Sequence, residues 1–186
     1  MAKKNLREFD YIKTAQLDTD MWRAYYGHNF FLLFVLLLRL MRTQFQFSRR
    51  LALRAAYYAA IAATNYRLRY GRKTFPVALK NLAKFYLFIS RNATEPFDYT
   101  KAAELELEWW NIHRYPEEYD KKLSVSLAAT MAVVYNGNTK DFLRYGEYRA
   151  RAMILRDNSK SRPDWEEIDS LLKASWKALH DVAQKG

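Results

Sequence analysis

The chain has 186 residues and a net charge of +11; 50% of its residues are hydrophobic, 16% are aromatic and none is cysteine. This hydrophobic fraction supports a buried core and excludes disorder throughout, while the lack of cysteine excludes disulfide scaffolds, thiolate metal sites and cysteine nucleophiles. Only five glycines and four prolines argue against a turn-rich sandwich or barrel. The composition therefore predicts an all-α protein, with residues 1–186 in a single helical domain.

Three helices are predicted in the first half of the chain. The first covers residues 15–43, where proline is absent and glycine occurs once, with Thr14 as its N-cap. The second covers residues 48–70, which are rich in strong helix formers. The third begins near Pro76 and carries apolar residues at steps of three and four, and residues 91–97 form a linker.

The second half of the chain is also predicted to be helical. A helix over residues 101–115 is followed, after an interruption at Pro116, by a helix over residues 117–135. A further helix covers residues 140–156, and the last one opens at Pro163, where acidic residues suit the positive end of the helix dipole. The whole pattern predicts a compact bundle of about six principal helices.

The longest apolar run, residues 30–38, has nine residues, whereas a membrane-spanning helix needs about 20. We therefore expect no membrane span and interpret this run as a buried helix at the centre of the fold. The charged start of the sequence is not followed by an apolar signal core, so a cytoplasmic location is expected.

The two halves of the sequence share a pattern of anchor residues. Ala-x-Leu-acid-x-acid-x-Trp occurs at residues 15–22 and again at residues 103–110, at an offset of 88. A fixed period is the signature of duplication. The pattern predicts two internal repeats, residues 14–91 and residues 98–184, each of three helices, related by a pseudo-two-fold axis.

The positive charge is concentrated in the first half. Residues 1–93 contain 17 basic and four acidic side chains, whereas residues 94–186 contain 14 basic and 16 acidic ones. No carboxylate occurs between Asp20 and Glu95. Such a one-sided field attracts polyanions and acidic surfaces, although arginines paired with the acidic second half would conceal part of it.

Basic and aromatic residues alternate along the second predicted helix and its flanks. The candidate anion-binding residues are Arg39, Arg42, Arg49, Arg50, Arg54, Arg67, Arg69, Arg72 and Lys73. The interleaved aromatic residues are Tyr57, Tyr58, Tyr66 and Tyr70. Guanidinium groups bind phosphate or carboxylate through paired hydrogen bonds, and aromatic rings stack on unpaired bases. This pattern predicts a non-enzymatic interaction protein whose basic half binds an acidic protein or a nucleic acid, although tyrosines at this spacing are also typical of a core.

A second hypothesis concerns the repeated acidic element. Steps of four and three residues place two sets of side chains on equivalent helix faces, namely Asp18, Trp22 and Tyr25, and Glu106, Trp110 and His113. If the repeats bring these faces together, the core of the bundle could hold a metal ion or cofactor, or carry out catalysis. The Glu-x-x-His spacing of di-iron bundles is absent, so no metal or cofactor is predicted.

In the structural alternative, Asp18 and Glu106 cap helices or pair with arginines of a neighbouring helix, such as Arg54 and Arg149. No Gly-x-Ser-x-Gly elbow and no glycine-rich phosphate loop occurs, so an enzyme is not favoured and no catalytic residue is assigned. A third hypothesis is a structural subunit of a larger assembly, such as a homo-oligomer, in which the many aromatic side chains cover interfaces.

Overall fold

The computed structural model describes residues 3–67, 71–118, 122–159 and 162–185. These residues form eight α-helices and three short 3₁₀ helices, and no β-strand occurs among them. The α-helices are α1 Tyr11–Tyr26, α2 Phe30–Gln44, α3 Arg49–Arg67, α4 Phe75–Asn92, α5 Tyr99–Arg114, α6 Leu123–Val134, α7 Leu143–Asn158 and α8 Trp165–Ala183. The 3₁₀ helices are Gly71–Thr74, Pro116–Glu118 and Thr139–Phe142. The predicted all-α class is confirmed, with eight described helices in place of about six.

The predicted first helix is divided into α1 and α2 by a short turn. Gly27 caps the end of α1, and His28 has a left-handed φ of 57°. Asn29 then starts α2, since its side chain accepts a hydrogen bond of 3.0 Å from the Leu32 amide. The prediction of one continuous helix was wrong. Gly27 ends α1 and Asn29 caps the start of α2, so the two helices are separated without a proline.

Three of the helices begin at aspartates. Asp10, Asp98 and Asp164 are the N-caps of α1, α5 and α8, and each carboxylate accepts hydrogen bonds from amides of the first turn. Thr14, the predicted cap, lies inside α1, where its hydroxyl donates to the Asp10 carbonyl. These caps set the residues at which α1, α5 and α8 begin.

The helices form a closed circuit of contacts. Each helix packs against its neighbours in sequence, and α8 packs against α1. The core lies inside this circuit and includes Leu82 of α4, Leu127 of α6 and Leu179 of α8, all fully buried. The interior therefore receives side chains from both halves of the chain.

The apolar run at residues 30–38 does not lie at the centre of the fold, so this prediction was wrong. Helix α2 packs against α1 and α3, and only one side of it is buried. Phe31 is 83% exposed, and Phe30 and Leu32 are also exposed. When a helix is apolar on all sides, its sequence does not indicate how many of those sides are buried in the fold. Among the described residues, no helix is long and apolar enough to cross a membrane.

The segment before α1 ties several helix ends together. The Arg7 guanidinium donates to the carbonyls of Tyr135 and Ala183, each at 3.0 Å, and to the Glu95 carboxylate at 2.9 Å. One side chain thus joins the ends of α6 and α8 to the linker before α5.

Candidate functional site

Asp18 forms a buried ion pair with Arg149. Asp18 on α1 is 3% exposed and accepts hydrogen bonds of 2.6 and 3.4 Å from the Arg149 guanidinium on α7. The indole N–H of Trp176 on α8 donates to the same carboxylate at 2.8 Å. The guanidinium carbon of Arg149 also lies 5.8 Å from the ring centroid of Trp22 and 5.9 Å from that of Trp176. The structural alternative named Arg149 as one of two possible partners of the buried carboxylates, without assigning it to either of them. The ion pair joins α1 to α7, and the Trp176 indole adds α8.

Glu106 of α5 is largely buried and accepts three hydrogen bonds. Its Oε2 accepts from the Tyr86 hydroxyl at 2.9 Å and from the Trp109 indole at 2.8 Å, and its Oε1 accepts from the Trp110 indole at 3.1 Å. Burial raises the pKa of the Glu106 carboxyl, while the three donors and the nearby Arg149 charge oppose that shift. The carboxylate is thus saturated by groups of α4 and α5.

The charge of Arg149 acts on both buried carboxyl groups, so Asp18 and Glu106 belong to one electrostatic network. Desolvation, the largest single influence, lowers the pKa of the Arg149 guanidinium, but the hydrogen bond to Asp18 and the negative charges of Asp18, Tyr145 and Glu106 together outweigh it and raise that pKa. Burial raises the pKa of Tyr145 to about 12, and burial also raises that of Tyr86, so both phenols stay protonated at neutral pH. We call these five residues the buried network.

His113 and Tyr25 do not join the buried network. His113 Nε2 lies 2.8 Å from Asp157 Oδ2 in a partly exposed pair. Tyr25 is exposed and its ring packs edge-on against Tyr26. In the part of the chain that the structure describes, no three His, Cys, Asp or Glu side chains come together as metal ligands. With their oxygens already accepting indole, phenol or guanidinium protons, the two buried carboxylates serve to hold helices together.

Five of the candidate anion-binding residues are exposed on α2 and α3, and we call this set the basic face. They are Arg39, Arg42, Arg49, Arg50 and Arg54. None of these guanidinium groups forms an ion pair or a hydrogen bond with another described residue. Arg54 is therefore not the partner of Glu106.

The remaining candidates lie at the last residue of α3 and in the sequence that follows it. Lys73 is exposed. Arg69 lies outside the described residues, as do the side chains of Arg67 and Arg72.

The described tyrosines of the interleaved set differ in their exposure. Tyr66 is buried, donates its hydroxyl to the Trp110 carbonyl at 2.8 Å and stacks on Phe75. Tyr58 is half-buried, and Tyr57 is 56% exposed. Tyr70 lies outside the described residues. For Tyr66, the interpretation as a core residue is therefore correct.

A groove of about 710 Å³ extends the basic face toward α1. It is lined by Asp10, Lys13, Leu17, Arg39, Arg42, Thr43, Gln46 and Phe47. Leu17 and Phe47 are buried, whereas Lys13 and the two arginines are exposed, so basic groups surround an apolar floor. An acidic group that enters the groove would meet cations from two helices.

Sequence reasoning missed Tyr86 and Trp176 as donors to the buried carboxylates. The two donors are 90 residues apart, close to the 88 residues that separate Asp18 from Glu106. An alignment of the two halves extended to this point would have found them. No protein-family model matches the chain, and comparisons with curated proteins and with solved structures found no match either.

Proposed function

We propose that this chain is a non-enzymatic interaction protein whose basic face binds an acidic protein. The observation that carries the proposal is the set of five exposed arginines on α2 and α3 that have no ion pair or hydrogen bond to any described residue. The sequence that carries them contains no acidic residue between Asp20 and Glu95, although Asp10 lines the groove beside Arg39 and Arg42. The planar guanidinium group is suited to carboxylates, which it binds through two parallel hydrogen bonds.

An acidic protein fits this face better than the alternative, a nucleic acid. Leu53 is exposed on α3 among the arginines, and Phe31 and Leu32 are exposed on α2. A protein partner can bury such side chains, and arginine together with aromatic residues is enriched in protein interfaces. Single-strand binding relies on stacked rings, whereas Tyr66 is held in the core.

The test compares two probes of equal net charge: a labelled helical peptide rich in Glu and Leu, and labelled single-stranded DNA. We expect fluorescence anisotropy to show tighter binding of the peptide. The variant with Arg49→Glu, Arg50→Glu and Arg54→Glu should bind the peptide more weakly by at least about 100-fold, since each lost charge-assisted contact corresponds to about tenfold in affinity. Circular dichroism should show unchanged helicity, because all three side chains are exposed.

The matched control carries the same change of charge on the other half of the protein. Lys122, Lys140 and Arg144 are exposed basic residues there, and their triple change to Glu should weaken binding far less. Equal losses in both variants would mean that net charge alone drives binding and would contradict the assigned face. Tighter binding of the DNA would favour the nucleic-acid alternative.

We also propose that the fold arose by duplication, with α1–α4 and α5–α8 as the two repeats. Trp176 of α8 donates to Asp18 of α1, and Tyr86 of α4 donates to Glu106 of α5, so equivalent helices form equivalent bonds. The circuit of helix contacts supports the same two-fold relation. An experimental structure in which the two sets of four helices could not be superposed by a two-fold rotation would contradict the duplication.

A further inference from the structure

The groove where α1 meets the end of α2 combines an apolar floor with cations from both helices. Leu17 and Phe47 form the floor, and the exposed Lys13 of α1 and Arg39 and Arg42 of α2 line the same groove. None of the three cations forms an ion pair with another described residue. The groove volume of about 710 Å³ lies in the range of ligand pockets, so the groove has room for side chains of a partner.

The groove keeps a net positive charge although Asp10 also lines it. Asp10 is the N-cap of α1, and its Oδ1 accepts a hydrogen bond of 3.0 Å from the Lys13 amide. The positive end of the helix dipole already stabilises a carboxylate at this position. Three cations and one carboxylate leave two positive charges in the groove. A ligand that brings two carboxylates would neutralise them.

The core fixes the floor of the groove before any ligand binds. Phe47 is 3% exposed, and its ring centroid lies 5.6 Å from that of Phe45 and 5.8 Å from that of Phe88. The side-chain amide of Gln46 donates to the Glu8 carbonyl at 2.5 Å, which ties the turn after α2 to the segment before α1. A groove that is already ordered costs little conformational entropy when it binds a ligand.

The floor favours an aliphatic side chain over a nucleic-acid base. A base binds by stacking on the exposed face of an aromatic ring, whereas the Phe47 ring is buried against two other rings. The methylene stems of Lys13, Arg39 and Arg42 add apolar surface to the groove, and their charged heads remain in water. An apolar side chain with carboxylates beside it would therefore contact the stems and the charged heads together.

We propose that the groove binds an acidic amphipathic helix of the partner protein, in which acidic residues flank a leucine on both sides. The leucine enters toward Leu17 and Phe47. One acidic residue binds Lys13 of α1, and the other binds Arg39 or Arg42 of α2. Residues three and four positions from the leucine lie beside it on a helix, so both carboxylates face the groove, and a helix that lays its apolar side in a groove is a common mode of recognition.

This inference rests on the proposed function, because Arg39 and Arg42 belong to the basic face. It adds the pattern of the segment that the acidic protein inserts. Two helical peptides of equal composition and net charge test this pattern: in the first, glutamates flank the leucines on both sides, and in the second they lie on the face opposite the leucines. We expect fluorescence anisotropy to show at least about tenfold tighter binding of the first peptide, because the second cannot place leucine and carboxylates in the groove together. Equal affinities would mean that only net charge is recognised and would overturn the proposal.

Thr43→Trp tests the position of the site, since it fills the groove without changing the charge. Thr43 is half-buried and lines the groove. The variant should bind the first peptide at least about tenfold more weakly, because exclusion of one leucine side chain costs about that much affinity. The matched control is Thr64→Trp, which brings the same side chain to an exposed position of α3 and should bind as the wild type does. Circular dichroism should show that both variants remain folded.

Disulfide cross-linking locates the peptide without filling the groove, because the chain has no cysteine of its own. A Thr43→Cys chain should cross-link to a peptide that carries cysteine in place of its central leucine, and an excess of the unmodified first peptide should prevent the reaction. A Thr64→Cys chain should cross-link far less. Equal cross-linking of the two chains would overturn the proposed site.

The possible results separate this inference from the proposed function. If Thr43→Trp bound the first peptide as the wild type does, whereas the variant with Arg49→Glu, Arg50→Glu and Arg54→Glu bound it weakly, the groove would be overturned and the basic face retained. If only Thr43→Trp weakened binding, the groove would be supported and the arginines of α3 would lose their assigned role. A wild-type chain that binds neither peptide would overturn both proposals.

Discussion

The indole N–H of Trp176 donates to the buried carboxylate of Asp18 at 2.8 Å, although 158 residues separate them in the sequence. This bond joins α8 to α1 and closes the circuit of helices. The same carboxylate binds the Arg149 guanidinium of α7. Three hydrogen bonds from fixed donors replace the water that this buried carboxylate loses, and they make the packing of all three helices interdependent.

Removal of the Arg149 guanidinium should destabilise the fold strongly. Arg149→Met leaves the methylene groups in place but deprives the buried Asp18 of its counter-charge. Breaking a buried ion pair in this way lowers the free energy of unfolding by about 3–5 kcal/mol. Urea denaturation would measure the change, with Arg151→Met as the control, because Arg151 is exposed on the same helix. A loss no larger than that of the control would show that the ion pair does not stabilise the core.

Restoring neutrality should recover part of that loss. In the double variant Asp18→Leu with Arg149→Met, no buried charge remains unpaired, and an apolar pair of similar size often replaces a buried ion pair without a large loss. We expect the double variant to be more stable than Arg149→Met alone. A further loss of stability would mean that the Trp176 indole, left without its acceptor, dominates the energetics of this site.

The Glu106 carboxyl should make stability depend on pH. Burial raises the pKa of this carboxyl above its ordinary value of 4.5, so between that value and the folded-state pKa the folded chain binds more protons than the unfolded chain. The free energy of unfolding contributed by this group therefore falls as the pH rises from about 4.5 toward the folded-state pKa. Tyr86 and Arg149, its neighbours, do not titrate in this range.

Glu106→Gln measures this contribution by urea denaturation at several pH values. The variant has no titrating group at this position, so the wild type should lose stability relative to it with rising pH through this window. Glu104→Gln is the control, since Glu104 is exposed on the same helix and should give a curve parallel to that of the wild type. Parallel curves for Glu106→Gln would contradict the raised pKa.

Arg7 should stabilise the fold through the helix ends that it joins. Arg7→Ala removes hydrogen bonds to the carbonyls of Tyr135 and Ala183 and to Glu95. Water can replace the contact to the exposed Glu95, whereas the two carbonyls belong to the buried residues Tyr135 and Ala183, so we expect a decrease of about 2–3 kcal/mol in the free energy of unfolding. Hydrogen exchange should quicken at the end of α8, whereas Lys3→Ala, at an exposed position, should leave it unchanged.

Local chemistry predicted part of the fold, and tertiary packing decided the rest. Composition indicated helices, and Pro116 marked a true interruption. The turn at His28 was missed because its signal, an asparagine cap, is weaker than a proline. The burial of residues 30–38 was misjudged because hydrophobicity does not reveal which neighbours a helix will meet. The choice of Arg149 over Arg54 as partner of a buried carboxylate depends on helix positions that no local pattern contains.

Gly146 lies inside a helix, where helix propensity disfavours glycine. Tertiary packing explains why glycine is found there. It lies in α7, where glycine is less favourable than alanine by about 1 kcal/mol. A Cβ at this position would lie 2.0 Å from the carbonyl oxygen of Ser124 in α6, so only glycine allows the two backbones to approach so closely. The contact holds α7 at the position from which Arg149 reaches Asp18.

Gly146→Ala should therefore lower the stability instead of raising it. The added methyl group meets backbone, which cannot rotate away, so α7 must shift from α6 at a cost of about 3 kcal/mol or more. Urea denaturation would measure the loss. The matched control is Glu147→Ala, which brings alanine to the neighbouring exposed position of α7 and should change the stability by less than about 0.5 kcal/mol. If Gly146→Ala stabilised the protein as helix propensity alone predicts, the close approach of α6 and α7 would be wrong, and with it the placement of Arg149 beside Asp18.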